Sequence, residues 1–462
     1  MIDKKHLDYI TSIVGEENIK SDKAHLIAFC YDATRTRFEP DAVVFPRHEQ
    51  DVSDILKYCN EHQIIIVPRG AGSGFTGGAL PASGGIILSL ERHMNKLLEI
   101  DMENMVGVVQ PGLINMNFQK AVEEVGLFYP PDPASEEYST LGGNVSENAG
   151  GMRAAKYGIT KDYVMALRAV LPNGDIIVAG KKTIKDVAGY NTAGILIASE
   201  GTLAVITEIT LKLIPKPKFK QTYMGVFPSV DSAMTAVFKS LAAGANPVAM
   251  EFLDALVIKA LRQKFPQISL PELAGGILVG DVDASSQAEI ESQLQTLKES
   301  FAANGSTDFI IAQNEEEGKK LWFARRNASP ATMIYGTKKL NEDISVPRSK
   351  LPVALEGIYK IGEKYGFNVP CFGHAGDGNI HVNVMVKDKT NEKEMEDGHK
   401  AIEEIFQYVV DLGGTLSGEH GIGTSKAPFM HIAFTEAEMN LFRSIKKAFD
   451  PNNILNPFKM GL

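Results

Sequence analysis

Apolar residues recur along this chain at two spacings. Ala42 to Phe45 and Ile64 to Val67 are short unbroken apolar runs, the pattern of a strand covered on both faces. Between them Val52, Ile55, Leu56 and Cys59 recur at three- and four-residue steps, which predicts a helix over 50–62. The same spacing at Phe118, Ala121, Val122 and Val125 predicts a helix over 117–125 that stops at Gly126. Residues 166–171 and 176–179 flank Pro172-Asn173-Gly174-Asp175 and predict a hairpin, and 205–213 alternates like a half-buried strand. Pro215-Lys216-Pro217-Lys218 interrupts the pattern and marks a domain boundary.

Beyond that boundary the periodicity predicts strands at 222–227, 247–252, 276–282 and 307–312, with helices at 231–242 and 286–303. An extra helical stretch covers 253–264. That order is similar to a ferredoxin-like split βαβ unit. A further helix over 392–412 ends at Gly413-Gly414, and Thr435 with Glu438 has the spacing of a capping box opening a last helix before the turn Asp450-Pro451-Asn452.

Composition narrows the function. The 462 residues carry a formal charge of −10, with 44% hydrophobic and 23% charged residues, so the chain can bury sizeable cores and offers no basic footprint for nucleic acid. The longest apolar runs, such as 64–68 and 86–90, fall far short of the roughly 20 residues of a membrane span. No integral membrane segment is expected, and MIDKKHLDYI lacks the apolar core of a signal peptide, so a cytoplasmic location is the expectation. Cys30, Cys59 and Cys371 are too few and too scattered for a four-cysteine iron–sulfur cluster.

Glycine is unevenly placed. Of 42 glycines, seven lie in 70–85, four in 142–151, three in 373–378 and five in 413–423. The first cluster, Pro68-Arg69-Gly70-Ala71-Gly72-Ser73-Gly74-Phe75-Thr76-Gly77-Gly78, contains a G-x-G-x-x-G match at 72–77. A Rossmann site needs a helix opening at that turn and an acidic residue about 20 positions on, whereas here Gly78 and Pro81 lead into another strand. What remains is a run of small residues whose backbone N–H groups can nest an anion such as a pyrophosphate, with Arg69 beside it. The second cluster joins a proline turn, 130–135, to Gly142-Gly143 and Gly150-Gly151. The third and fourth, 373–383 and 418–423, bring three histidines and acids into glycine-rich loops. Two imidazoles, a glutamate and an asparagine form a ligand set suited to a divalent cation, with a further histidine left over as a base.

Together the stretches PRGAGSGFTGGALP, PPDPAS, TLGGNVSENAGG, KYGIT, SEGTLAVITEITLKL, GHAGDGNIH, GEHGIG and NPFK resemble the FAD-linked 2-hydroxy-acid dehydrogenases, the family of D-lactate dehydrogenases and the glycolate oxidase D subunit. The likeness covers about residues 38–462. It implies an α+β chain: a two-part vanillyl-alcohol oxidase (PCMH) type FAD-binding domain, an inserted ferredoxin-like cap for substrate, and a C-terminal helical segment returning to the FAD domain. The implied divisions are 1–37, an N-terminal helical segment; 38–217, the FAD domain; 218–417, the cap; and 418–462, the returning segment.

The resemblance implies FAD contacts from Arg69, Gly70, Ala71, Gly72, Ser73, Gly74, Thr76 and Gly77 in the first cluster. Pro131, Ser135, Gly142, Gly143, Asn148, Gly151 and Tyr157 would help, with Glu200, Gly201 and Ile206 near the adenine side and Asn456 near the flavin ring. Some related flavoproteins attach flavin through a histidine at the position of Ser73, so non-covalent FAD is expected here. The resemblance makes His374, His381 and Glu419 ligands of a divalent metal (Zn, Fe or Mn), with Asn383 adjoining and contacting substrate, and His420 the base. In Leu321-Trp322-Phe323-Ala324-Arg325-Arg326-Asn327, Arg325 is aligned with the arginine that pairs the substrate carboxylate. Relatives acting on 2-hydroxyglutarate place a lysine where this chain has Asn341, with Lys338 and Lys339 too early, so lactate or glycolate is the expected substrate. With no cluster cysteines, electrons must leave for a quinone, an iron–sulfur subunit or an electron-transfer flavoprotein. Two other readings are a non-catalytic flavin electron-transfer subunit, which intact histidine motifs argue against, and an alkyl-glycerone-phosphate synthase-like transferase, which would need a lipid-sized tunnel.

Overall fold

A computed structural model describes residues 2–268, 270–272 and 274–462. The chain divides into two compact units: Met1–Gly150, Ile159–Lys216 and Glu419–Leu462 form one, Gly151–Gly158 and Pro217–Gly418 the other. The short excursion 151–158 belongs with the second unit, a crossing that no composition shift announces.

The first unit holds two principal sheets. In one, Ile19–Lys20, Ala42–Val44, Ile86–Ser89 and Ile66–Arg69 are neighbours in that order, the last three parallel. The helix Glu49–Glu61 buries Val52, Ile55, Leu56 and Cys59 in the same apolar cluster as Ile66, Ile86 and Leu88. The other sheet is antiparallel, ordered Leu97–Asp101, Val106–Val109, Val205–Lys212, Val164–Val170 and Ile176–Gly180, and contains the expected hairpin.

The tail returns to the first sheet. Ile66 N–H donates to Ile454 O (2.8 Å) and Asn456 N–H to Ile66 O (2.8 Å). The last helix, Glu436–Phe449, starts at a capping box in which Thr435 Oγ1 accepts from Glu438 N–H and Glu438 Oε2 accepts from Thr435 N–H. At its other end the buried Lys446 ammonium donates to Thr202 O (2.8 Å), Leu455 O (2.7 Å) and the Asp450 carboxylate. Asp450 in turn accepts from Ile454 and Leu455 N–H, which shapes the turn leading to the tail. Burial pulls the Lys446 ammonium below the ordinary lysine range while Asp450 opposes the shift.

In the second unit the strands are β1 (Phe219–Phe227), β2 (Ala249–Asp254), β3 (Gly276–Ala284), β4 (Asp308–Ile311), β5 (Lys338–Ser345), β6 (Cys371–His374) and β7 (Asn379–Val386). They form one sheet in the order β4-β1-β3-β2-β6-β7-β5. The first four strands, with helices Val230–Ala242 and Gln287–Ala303 between them, have the order of a split βαβ unit, as the periodicity predicts. Three strands extend it at the β2 edge. β5 reads KKLNEDIS, too polar to register as a strand, yet it pairs with β7 over its whole length. Among the described residues no helix is long and apolar enough to cross a membrane.

Removing one partner of a buried ion pair leaves the other charge without compensation. Asp450→Ala should therefore lower stability by about 3–5 kcal/mol in urea titration, against under about 1 kcal/mol if the pair were incidental.

Candidate active site

In the first unit, strand Ile66–Arg69 delivers the chain into the loop 70–79, and no helix intervenes before Ile86, as expected from Gly78 and Pro81. This loop borders an open cleft. One wall is Pro68, Arg69, Gly70, Gly78 and Ala79; a second is Pro111, Thr140, Gly142, Gly143, Ser146 and Glu147; a third is Glu200, Gly201, Ala204 and Ile206, with Leu90 completing it. Gly70 sits where a Cβ would strike Thr140 Oγ1, and Gly72 has φ +67° with its Cβ position occupied by the Arg69 guanidinium. That guanidinium, 6% exposed, donates to Tyr31 O (2.9 Å) and Ala79 O (3.3 Å) and so props the loop from behind.

The two glycine clusters at the cleft differ in what they offer. No backbone N–H from Gly70 to Gly78 donates to a backbone carbonyl among the described residues, so this run retains donors for a bound anion. In the helix Leu141–Glu147, by contrast, Gly142 N–H donates to Pro111 O (2.7 Å) and Gly143 N–H to Thr140 Oγ1 (3.3 Å). Both N–H groups are thus already engaged, and Gly142 has no space for a side chain, since a Cβ there would collide with Pro111.

Of the residues the resemblance assigns to FAD, Arg69, Gly70, Gly142, Gly143, Glu200, Gly201 and Ile206 line the cleft. Ala71, Gly72, Ser73, Gly74, Thr76, Gly77, Pro131, Ser135, Asn148 and Asn456 do not. Pro131 O accepts from Asn115 and Gln119 side chains, and Asn148 Oδ1 accepts from Lys161 N–H, both fixing backbone. Asn456, 1% exposed, donates from Nδ2 to Gly78 O (3.0 Å) and Glu200 O (2.7 Å), tying two cleft walls to the tail. Glu200 accepts from Ile422 N–H and Gly423 N–H, both at 2.7 Å, one on each carboxylate oxygen. Gly151 and Tyr157 fall in the second unit, where the Tyr157 hydroxyl donates to the Asp283 carboxylate (2.9 Å). Glu147 and eight other residues also line the cleft; seven of the nine fall within the motif stretches, whereas Leu90 and Pro111 lie outside them and carried no signal in the sequence.

His420 belongs to the first unit. Its ring stacks on Phe75 (centroids 5.1 Å, 29° between planes), and its carbonyl accepts from Thr76 Oγ1 (3.2 Å). Its Nε2 lies 3.9 Å from Glu419 Oε1.

In the second unit β6 and β7 place His374 and His381 side by side, with their Nε2 atoms 3.4 Å apart. His374 Nδ1 lies 2.7 Å from Glu251 Oε1, and the other oxygen of Glu251 accepts from Arg325 Nε at 2.7 Å. Glu251 is fully buried on β2. Its carboxylate therefore receives the Nδ1 proton of His374, which leaves that ring's Nε2 with a lone pair directed toward His381. Two imidazole nitrogens so disposed form the donor edge a divalent cation takes. Arg325 also lies over the Phe372 ring (5.0 Å). Asn383 sits elsewhere in the bonding scheme: its Nδ2 donates to Pro370 O and His381 O, and its Oδ1 accepts from Asn341 Nδ2. Its amide ties the backbone of β7 to the residue that leads into β6. Nothing in the sequence announced Glu251, which lies 74 residues from Arg325 and 123 from His374.

Residues 216–460 match the family described as FAD linked oxidases, C-terminal domain, and residues 40–180 match the FAD binding domain. Among solved structures, p-cresol methylhydroxylase with substrate bound superposes with a TM-score of 0.81 at 17% identity, covering 100% of this chain and 98% of that one. That likeness defines the fold as the PCMH-type flavoprotein fold. Over the full chain, glycolate oxidase subunit GlcD of Bacillus subtilis (strain 168) is 41% identical, with 97% of that protein covered. D-lactate dehydrogenase of Anaerostipes hadrus is 34% identical over 97% of this chain and 94% of its own length. D-2-hydroxyglutarate dehydrogenase of Stutzerimonas stutzeri (strain A1501) is 31% identical over 100% and 99%. The chain belongs to the FAD-linked oxidase family, and it is an FAD-dependent oxidoreductase.

Glutamine at position 251 would offer one acceptor where two donors now converge. Glu251→Gln should accordingly cost about 1.5–3 kcal/mol in urea titration, and an unchanged midpoint would show that the carboxylate does not bind both partners.

Proposed function

We propose that this chain is a dehydrogenase that oxidises a short D-2-hydroxy acid, D-lactate or glycolate, to the 2-oxo acid using non-covalent FAD and a divalent metal. The observation that carries this reading is the Glu251 carboxylate, which serves the His374–His381 pair on one oxygen and Arg325 on the other. A cation-binding edge and a carboxylate-binding guanidinium thus share one support, as a 2-hydroxy acid requires. The names of the three relatives, each acting on a 2-hydroxy acid, support the same class.

The donor set fits a divalent cation: two imidazoles with facing Nε2 atoms, one oriented by a buried carboxylate. Glu419, the third ligand implied by the resemblance, directly follows Gly418, whose N–H is fastened to Asp343 Oδ2 (2.9 Å). When bound, FAD supplies the hydride acceptor, and a cation held by His374, His381 and Glu419 supplies positive charge that lowers the pKa of the substrate hydroxyl. Arg325, anchored through Nε, turns its terminal nitrogens to the substrate carboxylate. His420 takes the hydroxyl proton at its imidazole, which the stack on Phe75 orients.

Substrate length follows from the same sheet. On β5 the Asn341 amide is bonded to Asn383 and the Lys339 ammonium to Ser329 Oγ, so these groups are engaged rather than set for a distal carboxylate. Lactate or glycolate fits better than 2-hydroxyglutarate. The relatives named as subunits support transfer of electrons to a separate acceptor, an electron-transfer flavoprotein or an iron–sulfur subunit.

Under anaerobic conditions D-lactate should bleach the flavin of the wild-type chain faster than D-2-hydroxyglutarate does. His420→Ala should keep its FAD and lose bleaching by at least about 100-fold, the scale of a lost general base; full-rate bleaching would remove His420 from this role. Metal analysis of gently purified protein should find close to one divalent ion per chain, lost in the His374→Ala, His381→Ala double variant. A metal-free chain with full activity would overturn the metal assignment.

A further inference from the structure

Glu147 is the last residue of the helix Leu141–Glu147 and lines the cleft. Its carboxyl is set against two glycines: a Cβ on Gly78 would lie 2.6 Å from Glu147 Oε1, and one on Gly421 would collide with Glu147 Oε2. The same two positions face Glu200, at 3.8 Å from Gly78 and 3.2 Å from Gly421. Two carboxyls therefore share one enclosed space, and a side chain at either glycine would fill it.

The two acids are not equivalent. Each oxygen of Glu200 accepts a backbone N–H at 2.7 Å, from Ile422 and Gly423, which favours its charged form against the burial that pushes this carboxyl up. Glu147 Oε2 is enclosed and meets no hydrogen-bonding partner. The other charged groups facing it are Asp32 and Lys459; the Lys459 ammonium donates to Leu80 O (2.6 Å) and to neither oxygen of Glu147. Burial, with the Glu200 charge adding to it, lifts the Glu147 carboxyl well above the usual range. A neutral acid with an unmet oxygen at the edge of a ligand cleft is a hydrogen-bond donor awaiting an acceptor. A second carboxylate there would repel a dinucleotide that itself carries negative charge.

We propose that Glu147 is a cofactor-binding residue that stays neutral and donates its carboxylic O–H to an acceptor atom of FAD in this cleft. The inference rests on the reading that this cleft takes FAD. It distinguishes Glu147 from the glycines around it: they make room, and Glu147 supplies a directed donor.

The test uses the full-length chain, stripped of flavin and titrated with FAD by flavin fluorescence. Wild type must bind first, since failure there would refute the cleft reading itself. Glu147→Ala should then raise Kd by about tenfold or more, while Glu147→Gln, isosteric and still an N–H donor, should stay within about threefold. Equal affinity in all three, or a Gln variant as weak as Ala, would overturn the proposal. Infrared difference spectroscopy covers the case in which the Ala variant does not fold. A protonated-carboxyl band should shift on adding FAD to wild type and be missing from Glu147→Gln; an unshifted band, or one retained in the Gln variant, would equally overturn it.

Discussion

The return of the last dozen residues to strand Ile66–Arg69 is the constraint on which the first unit depends. That strand launches the glycine loop, and its outer partner is the tail, bonded through Ile454 and Asn456. Asn456 then reaches Gly78 and Glu200 from one amide, while Lys459 caps Leu80 O. Residues nearly four hundred apart in sequence are thereby held as adjoining walls of one cleft. The buried Lys446–Asp450 pair sets the turn that aims the tail. A cleft with these walls depends on the C-terminal segment being in place.

A second constraint is economy of buried charge. Each buried carboxylate at the two sites has an assigned load. Glu200 holds the 422–423 backbone, Glu251 holds an imidazole and a guanidinium, and Asp343 holds Gly418 and Ser417. Glu147 departs from this pattern: it has one unmatched oxygen and lines the cleft, whereas Asp32, which also has an unmatched oxygen, does not line it. Buried polar groups in folded chains are almost always satisfied, so an exception at a cleft wall points to a ligand atom.

Much of this was legible in the sequence, because the signals were local. The helices 49–61 and 436–449 announced themselves by apolar spacing and a capping box, and the loop 70–78 by glycine too dense for regular structure. The helix Leu141–Glu147 was not legible, since Gly142-Gly143 reads as a loop and the packing on Pro111 that makes Gly142 necessary comes from a residue remote in sequence. β5 was hidden by its polar composition, which its pairing with β7 overrides. Glu251 and Glu147 were hidden for another reason: each acts through partners remote in sequence, and a single glutamate in an apolar strand or at a helix end carries no motif. Asn383 shows the converse, a motif residue whose amide proves to be committed to its own strand and to Asn341.

The proposed chemistry requires non-covalent FAD held by the first unit. Its most direct test is acid denaturation of the purified chain, followed by identification of the released chromophore. One equivalent of intact FAD in the supernatant, with a colourless pellet, is the predicted result. A chain free of flavin, or flavin that remains attached to the precipitated protein, would contradict it.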